Sequence, residues 1–346
     1  MQPIIFTDSA AKQLDAFIAA TPHDRLFILC DENTVRLCLA KLSNYQTFKP
    51  ITIPSGDTNK TLQSLTHVWQ QLQQGGATRH SLLVNLGGGM VTDLGGFAAS
   101  TFKRGITFVN IPTTLLAMVD ASVGGKTGIN FGGLKNEVGV FSNAQQVIID
   151  TQFLSTLDHD NLLSGYAEMI KHALISSYNE WAELLNYTPD NRNLAPLAPM
   201  LKKNIQVKKR IVEADPHEHG LRKALNLGHT IGHALESFAM TAGRPVLHGY
   251  AVAWGIVCEL YLSAIKTGFP TTPLHQTASY IRNHYGQPAI ECKHYDQLLE
   301  LMTHDKKNTG SDINFTLLAD IGSLRLNQTA TRDEIFEALD FLREGC

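Results

Sequence analysis

The chain has 346 residues, of which 43% are hydrophobic and only 18% are charged, and its formal net charge is −3. Disordered chains are charge-rich and poor in apolar residues, so this composition excludes disorder as the main state. A dedicated nucleic-acid-binding protein normally carries a basic surplus, and this chain has none. The length is that of two domains or one large one.

Membrane insertion and secretion are not indicated. No apolar stretch reaches the roughly 18 residues that span a bilayer, and the first residues lack the pattern of a signal peptide. The five cysteines are scattered and form no C-x-x-C pair. This usage is typical of a reducing compartment, so we expect a cytoplasmic protein with no membrane or nucleic-acid partner.

The first half of the chain alternates short apolar runs with helical patterns. We predict strands at 26–30, 81–86, 107–111 and 146–149, and helices at 61–74 and 91–101. Strands that alternate with helices predict a mostly parallel sheet. Ligands of such sheets bind beyond the carboxyl ends of the strands, where Asp31, the glycines that begin at Gly87, and Thr113 with Thr114 are expected to lie.

The sequence pattern becomes mainly helical after about residue 156. Helical spacing predicts helices at 161–178, 197–213, 221–242, 249–267 and 273–285, with one short strand at 314–318. We therefore predict an N-terminal α/β domain over 1–157 and a helical domain over 158–346. A small-molecule site is expected in a cleft between them.

A glycine-rich turn joins a predicted strand to a predicted helix in GGGMVTDLGG, which begins at Gly87. Glycine lets backbone amides approach a phosphate, and the helix N-terminus favours an anion there. The motif is not the G-x-G-x-x-G fingerprint. A tight turn without a ligand therefore remains the alternative.

A polar stripe follows the helix predicted at 221–242. At 100° per residue its members fall within an arc of roughly 80°. They are Arg222, Asn226, His229, His233 and Glu236. A solvated helix face would favour lysine and glutamate, so this mixture indicates a lined pocket.

A second cluster lies on the helix predicted at 161–178, where Glu168 shares a face with Lys171 and His172. A plain surface ion pair is the alternative interpretation. With His248 added, Glu168 and His229 would form the His₂Glu set of a catalytic zinc. The pair His229 and His233 would equally suit one metal, and spacing alone does not choose between them.

Several cations could bind an anionic substrate. Lys126 follows two glycines, but the segment is not a phosphate-binding P-loop because Asp120 stands six residues before it, where the first glycine is required. Taken alone, the pair Lys306 and Lys307 is typical of a solvated turn.

Taken together, these motifs resemble the 3-dehydroquinate synthases, and the resemblance covers nearly the whole chain. The matching strings are GGGMVTDLGGFAASTFKRG, IPTTLLAMVDASVGGKTGIN, LKNEVGVF, GYAEMIKHALI, ALNLGHTIGHALE, LHG and HDKKNTG. The resemblance implies an α/β N-terminal Rossmann-like nucleotide-binding domain, an all-α C-terminal domain and a homodimer. It also implies NAD and a divalent metal, zinc or cobalt, as cofactors.

The residues that match the family's sites fall into three groups. The metal ligands implied are Glu168, His229 and His248, which leaves His233 near the substrate or behind the ligands. The NAD-site matches are Asp31, Asn33, Asp57, Lys60, Gly88, Gly89, Asp93, Thr113, Thr114 and Thr156, with Asp120, Lys126 and Lys135 beside them. The substrate-site matches are Arg104, Asp120, Lys126, Lys135, Asn136, Lys171, Lys208, Arg222, Asn226, His233 and one of Lys306 or Lys307. Asp57 stands where the family usually has glutamate.

The resemblance implies conversion of 3-deoxy-D-arabino-heptulosonate 7-phosphate to 3-dehydroquinate and phosphate, in the shikimate pathway. The steps implied are transient oxidation by NAD, β-elimination of phosphate, reduction and intramolecular aldol closure. Another sugar-phosphate cyclase, such as a 2-deoxy-scyllo-inosose or valiolone-type synthase, should differ at the groups that grip the carboxylate. A metal-dependent polyol dehydrogenase is a more distant candidate, and a non-catalytic nucleotide- and metal-binding module is a candidate from a different class of protein.

Overall fold

The computed structural model describes residues 2–45, 47–132, 134–303 and 313–345. The chain divides into two compact units. The first is Met1–Asp158 with Asn191–Ala198, and the second is His159–Asp190 with Pro199–Cys346. Within the described ranges, no helix has both the length and the apolar character needed to cross a membrane.

A six-stranded parallel sheet forms the centre of the first unit, in the order β1-β8-β5-β4-β2-β3. The strands of this unit are β1 (Ile4–Phe6), β2 (Leu26–Asp31), β3 (Ile51–Ile53), β4 (Leu82–Gly87), β5 (Thr107–Pro112), β6 (Lys126–Phe131), β7 (Leu134–Phe141) and β8 (Gln146–Ile149). The helices are α1 (Ala10–Ala20), α2 (Glu32–Leu37), α3 (Leu62–Gln74) and α4 (Gly89–Thr101). The predicted parallel sheet is confirmed.

The order of the strands reverses beside β4. From β2 the chain moves to β3 on one side, and it then crosses to β4 on the other side of β2. Such a switch point is where open parallel sheets bind ligands. Asp31 ends β2 and Gly87 ends β4, so residues predicted for the nucleotide site flank this point.

Close packing fixes helix α4 between the sheet and a hairpin. A Cβ on Gly96 would lie 2.6 Å from Thr127 Cγ2 of β6, and a Cβ on Gly95 would clash with the side chain of Asn85 in β4. The antiparallel β6–β7 hairpin packs on α4 because Gly96 leaves room for it. The hairpin was not predicted; Lys126, expected in an anion-binding loop, is the first residue of β6.

Helices dominate the second unit, and α9 lies among the others. The elements from His159 onward are α5 (His159–Leu174), α6 (Tyr178–Leu185), α7 (Leu197–Ala214), α8 (His229–Thr241), α9 (His248–Thr267), α10 (Thr271–Tyr285), α11 (Tyr295–Thr303), β9 (Asn314–Asp320), β10 (Ser323–Thr329) and α12 (Arg332–Glu344). Helix α9 packs against α5, α8, α10 and α12. The predicted strand at 314–318 belongs to a two-stranded antiparallel sheet with β10.

The prediction of one helix over 221–242 is wrong. The segment Leu221–Asn226 is a 3₁₀ helix, and α8 begins only at His229. Between them Gly228 has a left-handed φ of +79°, which an α-helix cannot accommodate. Only glycine fits at this turn, because a Cβ at residue 228 would also lie 2.9 Å from Val252 O of α9. Arg222 and Asn226 therefore do not share a helix face with His229.

Candidate active site

The carboxylate of Glu168 lies at the centre of a buried polar cluster. Glu168 is fully buried on α5, and Lys171, one turn later, forms a buried ion pair with it. The alternative of a solvated surface pair is therefore wrong. A buried carboxylate of this kind needs charged or metal partners to offset its desolvation.

Two histidines approach the same oxygen of Glu168. Nε2 of His229 lies 3.5 Å from Glu168 Oε1, and Nε2 of His248 lies 3.4 Å from it. His229 is the first residue of α8 and His248 the first of α9. His248 comes this close because Gly249, the second residue of α9, packs its backbone directly on Ser164 O of α5, where a Cβ would clash. The Gly249 amide also donates to Ser164 Oγ at 3.1 Å.

The other ring nitrogen of each histidine has an acceptor. His229 Nδ1 lies 3.1 Å from Leu227 O, and His248 Nδ1 lies 3.2 Å from Glu236 Oε2. With Nδ1 acting as the donor in both rings, each Nε2 faces Glu168 and could bind a metal there after losing its proton. Burial alone lowers the pKa of His248, but the carboxylates of Glu236 and Glu168 outweigh it and raise the pKa to about 10.

His233 lies beside these two rings. The ligand atoms of His229, His233 and His248 all lie within 4.8 Å of one another. The set Glu168, His229 and His248 and the alternative pair His229 and His233, both considered from the sequence, therefore lie in one cluster. Glu236 was placed on the polar stripe but not predicted as a partner of His248; its position seven residues after His229 on one helix was the available signal.

Helix α7 carries Lys208, and hydrogen bonds of the buried Asn204 link this helix to α5. Asn204 Nδ2 donates to Met169 O at 2.9 Å, and Asn204 Oδ1 lies 2.8 Å from His172 Nδ1. Lys208 is one turn beyond Asn204 and is itself buried. The link holds the helix that carries Lys208 against the helix that carries Glu168.

Arg222 and Asn226 lie on the 3₁₀ helix, which leads into α8. Arg222 is 2% exposed and donates from Nη1 to Pro216 O at 2.6 Å. Its backbone amide donates to Asp215 Oδ2 at 3.0 Å. Asn226 Nδ2 donates to Glu218 Oε1 at 2.9 Å. The preceding loop thus fixes both predicted substrate residues.

In the first unit, four predicted residues come together around a fifth, the buried Lys60. Lys60 Nζ donates to Asp93 Oδ2 at 3.0 Å and to Asn136 Oδ1. Asp57 Oδ1 lies 3.6 Å from Lys60 Nζ, and Asp57 Oδ2 lies 3.0 Å from Lys135 Nζ. Burial alone lowers the pKa of Lys60, but Asp93 and Asp57 outweigh it and raise it, so Lys60 is charged at neutral pH.

The residues at the strand ends have local roles as well. Asp31 Oδ1 accepts from Thr34 N at 2.8 Å and caps α2, and the neighbouring Asn33 Oδ1 accepts from Arg36. The Thr113 amide donates to Gly87 O at 3.0 Å. A Cβ on Gly88, the N-cap of α4, would lie 3.0 Å from Thr114 Cγ2.

The remaining predicted residues of the first unit lie on several elements. Arg104 follows the C-terminal end of α4, at the opposite end from Gly89, so about 20 Å separates it from the glycine turn. Asp120 belongs to the π-helical turn Ala117–Ala121, and Lys126 is exposed. Thr156 Oγ1 donates to Phe153 O at 2.7 Å. Lys306 and Lys307 lie outside the described residues.

Comparison with protein families gives two matches along the chain. Residues 50–164 match the family model described as 3-dehydroquinate synthase N-terminal. Residues 165–308 match the model described as 3-dehydroquinate synthase C-terminal.

Full-length relatives carry the same description. A 3-dehydroquinate synthase from Parabacteroides distasonis is 53% identical over 99% of this chain and 98% of its own length. One from Pyrococcus furiosus is 36% identical, with 95% of each chain covered.

Solved structures show the same fold. A 2-epi-5-epi-valiolone synthase from Streptomyces hygroscopicus, with NAD⁺ and Zn²⁺ bound, superposes with a TM-score of 0.88 at 25% identity and covers 99% of this chain and 97% of its own. A 2-deoxy-scyllo-inosose synthase with NAD⁺ and Co²⁺ gives 0.83 at 23% identity, covering 99% and 96%. On the family matches and the 53% identity, the chain belongs to the 3-dehydroquinate synthase family.

Proposed function

We propose that the protein converts 3-deoxy-D-arabino-heptulosonate 7-phosphate to 3-dehydroquinate and phosphate as a phosphate-eliminating lyase that depends on NAD and a divalent metal. The observation that carries this proposal is the approach of His229 and His248 to one oxygen of a fully buried glutamate, Glu168, at 3.5 and 3.4 Å. It occurs in a chain 53% identical to a 3-dehydroquinate synthase.

The spacing of these ligand atoms fits a tetrahedral metal. Zinc lies about 2.0–2.1 Å from histidine nitrogen and carboxylate oxygen, so two ligands of a tetrahedral site are roughly 3.3–3.4 Å apart. The two nitrogen–oxygen distances, 3.5 and 3.4 Å, are close to this edge length. Three protein ligands leave the fourth position for substrate. Glu168, His229 and His248 would hold zinc or cobalt, and His233 would face the substrate.

The first unit supports a site for NAD. The turn from Gly87 to Gly89 leads into the N-terminus of α4 at the switch point of the sheet, which suits the pyrophosphate. Asp93 lies one turn into that helix and is held by Lys60. We propose that the first unit is the NAD-binding domain and the second the metal- and substrate-binding domain.

Buried cations in the second unit suit a substrate with a carboxylate and a phosphate. Arg222 presents a planar guanidinium that can grip a carboxylate with two hydrogen bonds. Asn226 adds an amide beside it, and both are held by the loop from Asp215 to Glu218. This grip distinguishes the proposed substrate from the substrates of the other cyclases.

The chemistry divides between the cofactors and the chain. When bound, a zinc-type ion supplies Lewis acidity and NAD supplies reversible hydride transfer. Lys171 offsets the negative charge of Glu168, so that the carboxylate is retained as an anionic donor in a buried site. Lys208 and Arg222 hold the anionic ends of the substrate, which fixes its reacting carbons relative to the histidines.

A homodimer in the cytoplasm is the assembly we propose. The β6–β7 hairpin exposes several large apolar side chains, a feature typical of an interaction surface. They are Phe131, Leu134, Val138, Val140 and Phe141. A second copy of the chain would cover part of this hairpin, and sedimentation at several concentrations would measure the dimer.

Phosphate release tests the proposed reaction. Chelator-treated protein should release phosphate from the heptulosonate phosphate only when both NAD⁺ and Zn²⁺ or Co²⁺ are added. Catalytic NAD⁺ should support many turnovers without lasting NADH absorbance, and a deuterium label on carbon 5 should remain in the dehydroquinate. One NADH formed per substrate consumed would instead identify a dehydrogenase.

A further inference from the structure

Helix α8 begins at His229 without a cap of its own. Helices are usually capped by Ser, Thr, Asp or Asn at the preceding position, but Gly228 occupies it here. A side chain does not fit there, since a Cβ on Gly228 would lie 2.6 Å from Ile256 Cγ1 and 2.9 Å from Val252 O. The backbone amides of the first turn must therefore find an acceptor outside α8.

That acceptor is Glu259, a fully buried glutamate of α9. Its Oε2 accepts from Gly228 N at 2.7 Å. Its Oε1 accepts from Thr230 N at 3.1 Å and from Ile231 N at 3.4 Å. The amides directly before and after His229 are thus bound by one carboxylate, whose charge also suits the positive end of the helix.

Helix α9 therefore acts on both histidines. It begins with His248, and about three turns further along it carries Glu259. The turn that bears Glu259 is anchored in its own right, because Ser263 Oγ donates to Glu259 O at 2.6 Å and accepts from Leu318 N at 3.0 Å. One rigid helix thus supplies one imidazole and fixes the backbone that carries the other.

We propose that Glu259 is a positioning residue: by binding the amides on both sides of His229, it sets the ligand geometry, and hence the affinity, of the metal site. This inference rests on the proposed metal site. It concerns metal binding itself, so it is tested without any measurement of turnover.

The first test compares two variants that each lose a helix cap. Glu259→Gln keeps the shape but turns an NH₂ group toward backbone N–H donors. Thr331→Ala removes the cap of α12, where Thr331 Oγ1 accepts from Glu334 N at 3.3 Å, and α12 carries none of the proposed site residues. Chelator-treated proteins are titrated with Co²⁺ against a metal-binding dye. We expect Glu259→Gln to bind Co²⁺ at least about tenfold more weakly, as is usual for residues that orient ligands, and Thr331→Ala to match the wild type.

A measurement on the wild type covers the case in which Glu259→Gln does not fold. Amide hydrogen exchange of residues 228, 230 and 231 is followed with and without Co²⁺. We expect slow exchange in the metal-free protein already, since Glu259 holds these amides before metal arrives. Fast exchange that slows only with Co²⁺ would overturn the inference, as would equal Co²⁺ affinity of Glu259→Gln and wild type. A wild type that binds no Co²⁺ would instead refute the metal site.

Discussion

His248 lies between two carboxylates, with Nε2 3.4 Å from Glu168 Oε1 and Nδ1 3.2 Å from Glu236 Oε2. We propose that the two acids have different roles. Glu168 is fully buried and shares its oxygen with His229, so it lies where a ligand belongs. Glu236 lies on the other side of the ring, where it would fix the Nδ1–H tautomer of a metal-bound imidazole and make Nε2 a stronger ligand.

Substituting Glu236→Gln should weaken metal binding by about tenfold, because the amide accepts a hydrogen bond from Nδ1 less strongly than the carboxylate does. The loss should appear in a Co²⁺ titration of chelator-treated protein. Glu183→Gln on α6, whose carboxylate pairs with Lys203 at the surface, is the matched control and should bind like wild type. Equal affinities for all three proteins would show that Glu236 does not support His248.

The three clustered histidines should behave differently when each is replaced by alanine. The Co²⁺ affinity of His229→Ala and of His248→Ala should fall further than the roughly 10–100-fold that follows from removing a supporting residue. His233→Ala should retain Co²⁺ and lose phosphate release, because Glu168 Oε1 lies near the nitrogens of the other two. Loss of Co²⁺ from His233→Ala, with retention in His248→Ala, would reverse the ligand assignment.

The fold of the first unit is largely predictable because short apolar runs that end in Gly, Pro or Asp and alternate with helical patterns are typical of buried strands. The run at 81–86 became β4, buried throughout. The β6–β7 hairpin escaped prediction because most of its side chains are exposed and its packing depends on Gly96 of another element. Such long-range backbone contacts leave no periodic signal in the chain.

The site was predictable in composition but not in geometry. Helical spacing runs without interruption through Gly228, and only the contact of Gly228 with α9 reveals why the helix breaks there. Lys171 looked like half of a surface pair because spacing does not report burial. Glu259 gave no signal, since a single acidic residue in an apolar helix can equally face solvent or cap a neighbouring helix.

The stability that the loop before Arg222 contributes should depend on pH through the carboxyl group of Asp215. Partial burial alone raises the pKa of this carboxyl, but hydrogen bonds from the amides of Gly220, Arg222 and His219 outweigh it and lower the pKa to about 2. The folded state therefore binds the proton less readily than the unfolded chain, whose pKa is about 3.9. The stabilisation is complete above about pH 4 and is lost as the pH falls toward 2.

Urea unfolding of wild type and Asp215→Asn measures this contribution. We expect the variant to be less stable at pH 7, and the difference between the two proteins to shrink when the pH is lowered from 5 to 3. A difference that stays constant over this range would mean that the carboxylate charge does not hold the loop.

Lys60 should be needed both for the stability of the first unit and for NAD. Its side chain is 5% exposed and its partner Asp93 is 19% exposed. Substituting Lys60→Met would leave the Asp93 carboxylate without its cation. Removing one partner of a buried pair costs about 3–5 kcal/mol, and the partial exposure of Asp93 reduces this to roughly 2–3 kcal/mol in the free energy of unfolding. Since Asp93 lies one turn from Gly89 on α4, its displacement should also weaken NAD⁺ binding.

Lys203→Met is the matched control for Lys60→Met, because Lys203 pairs with Glu183 at 2.9 Å but is 53% exposed. A surface pair contributes about 0–1 kcal/mol, so this variant should unfold and bind NAD⁺ like wild type. Calorimetric titration with NAD⁺ at a temperature where every variant is folded separates binding from stability.

Because the charge on Lys60 fixes Asp93 next to the glycine turn, Lys60→Arg should recover part of the affinity that Lys60→Met loses. If Lys60→Met bound NAD⁺ as tightly as Lys203→Met, the Lys60–Asp93 pair would serve stability alone, and the nucleotide site would have to be sought away from Asp93.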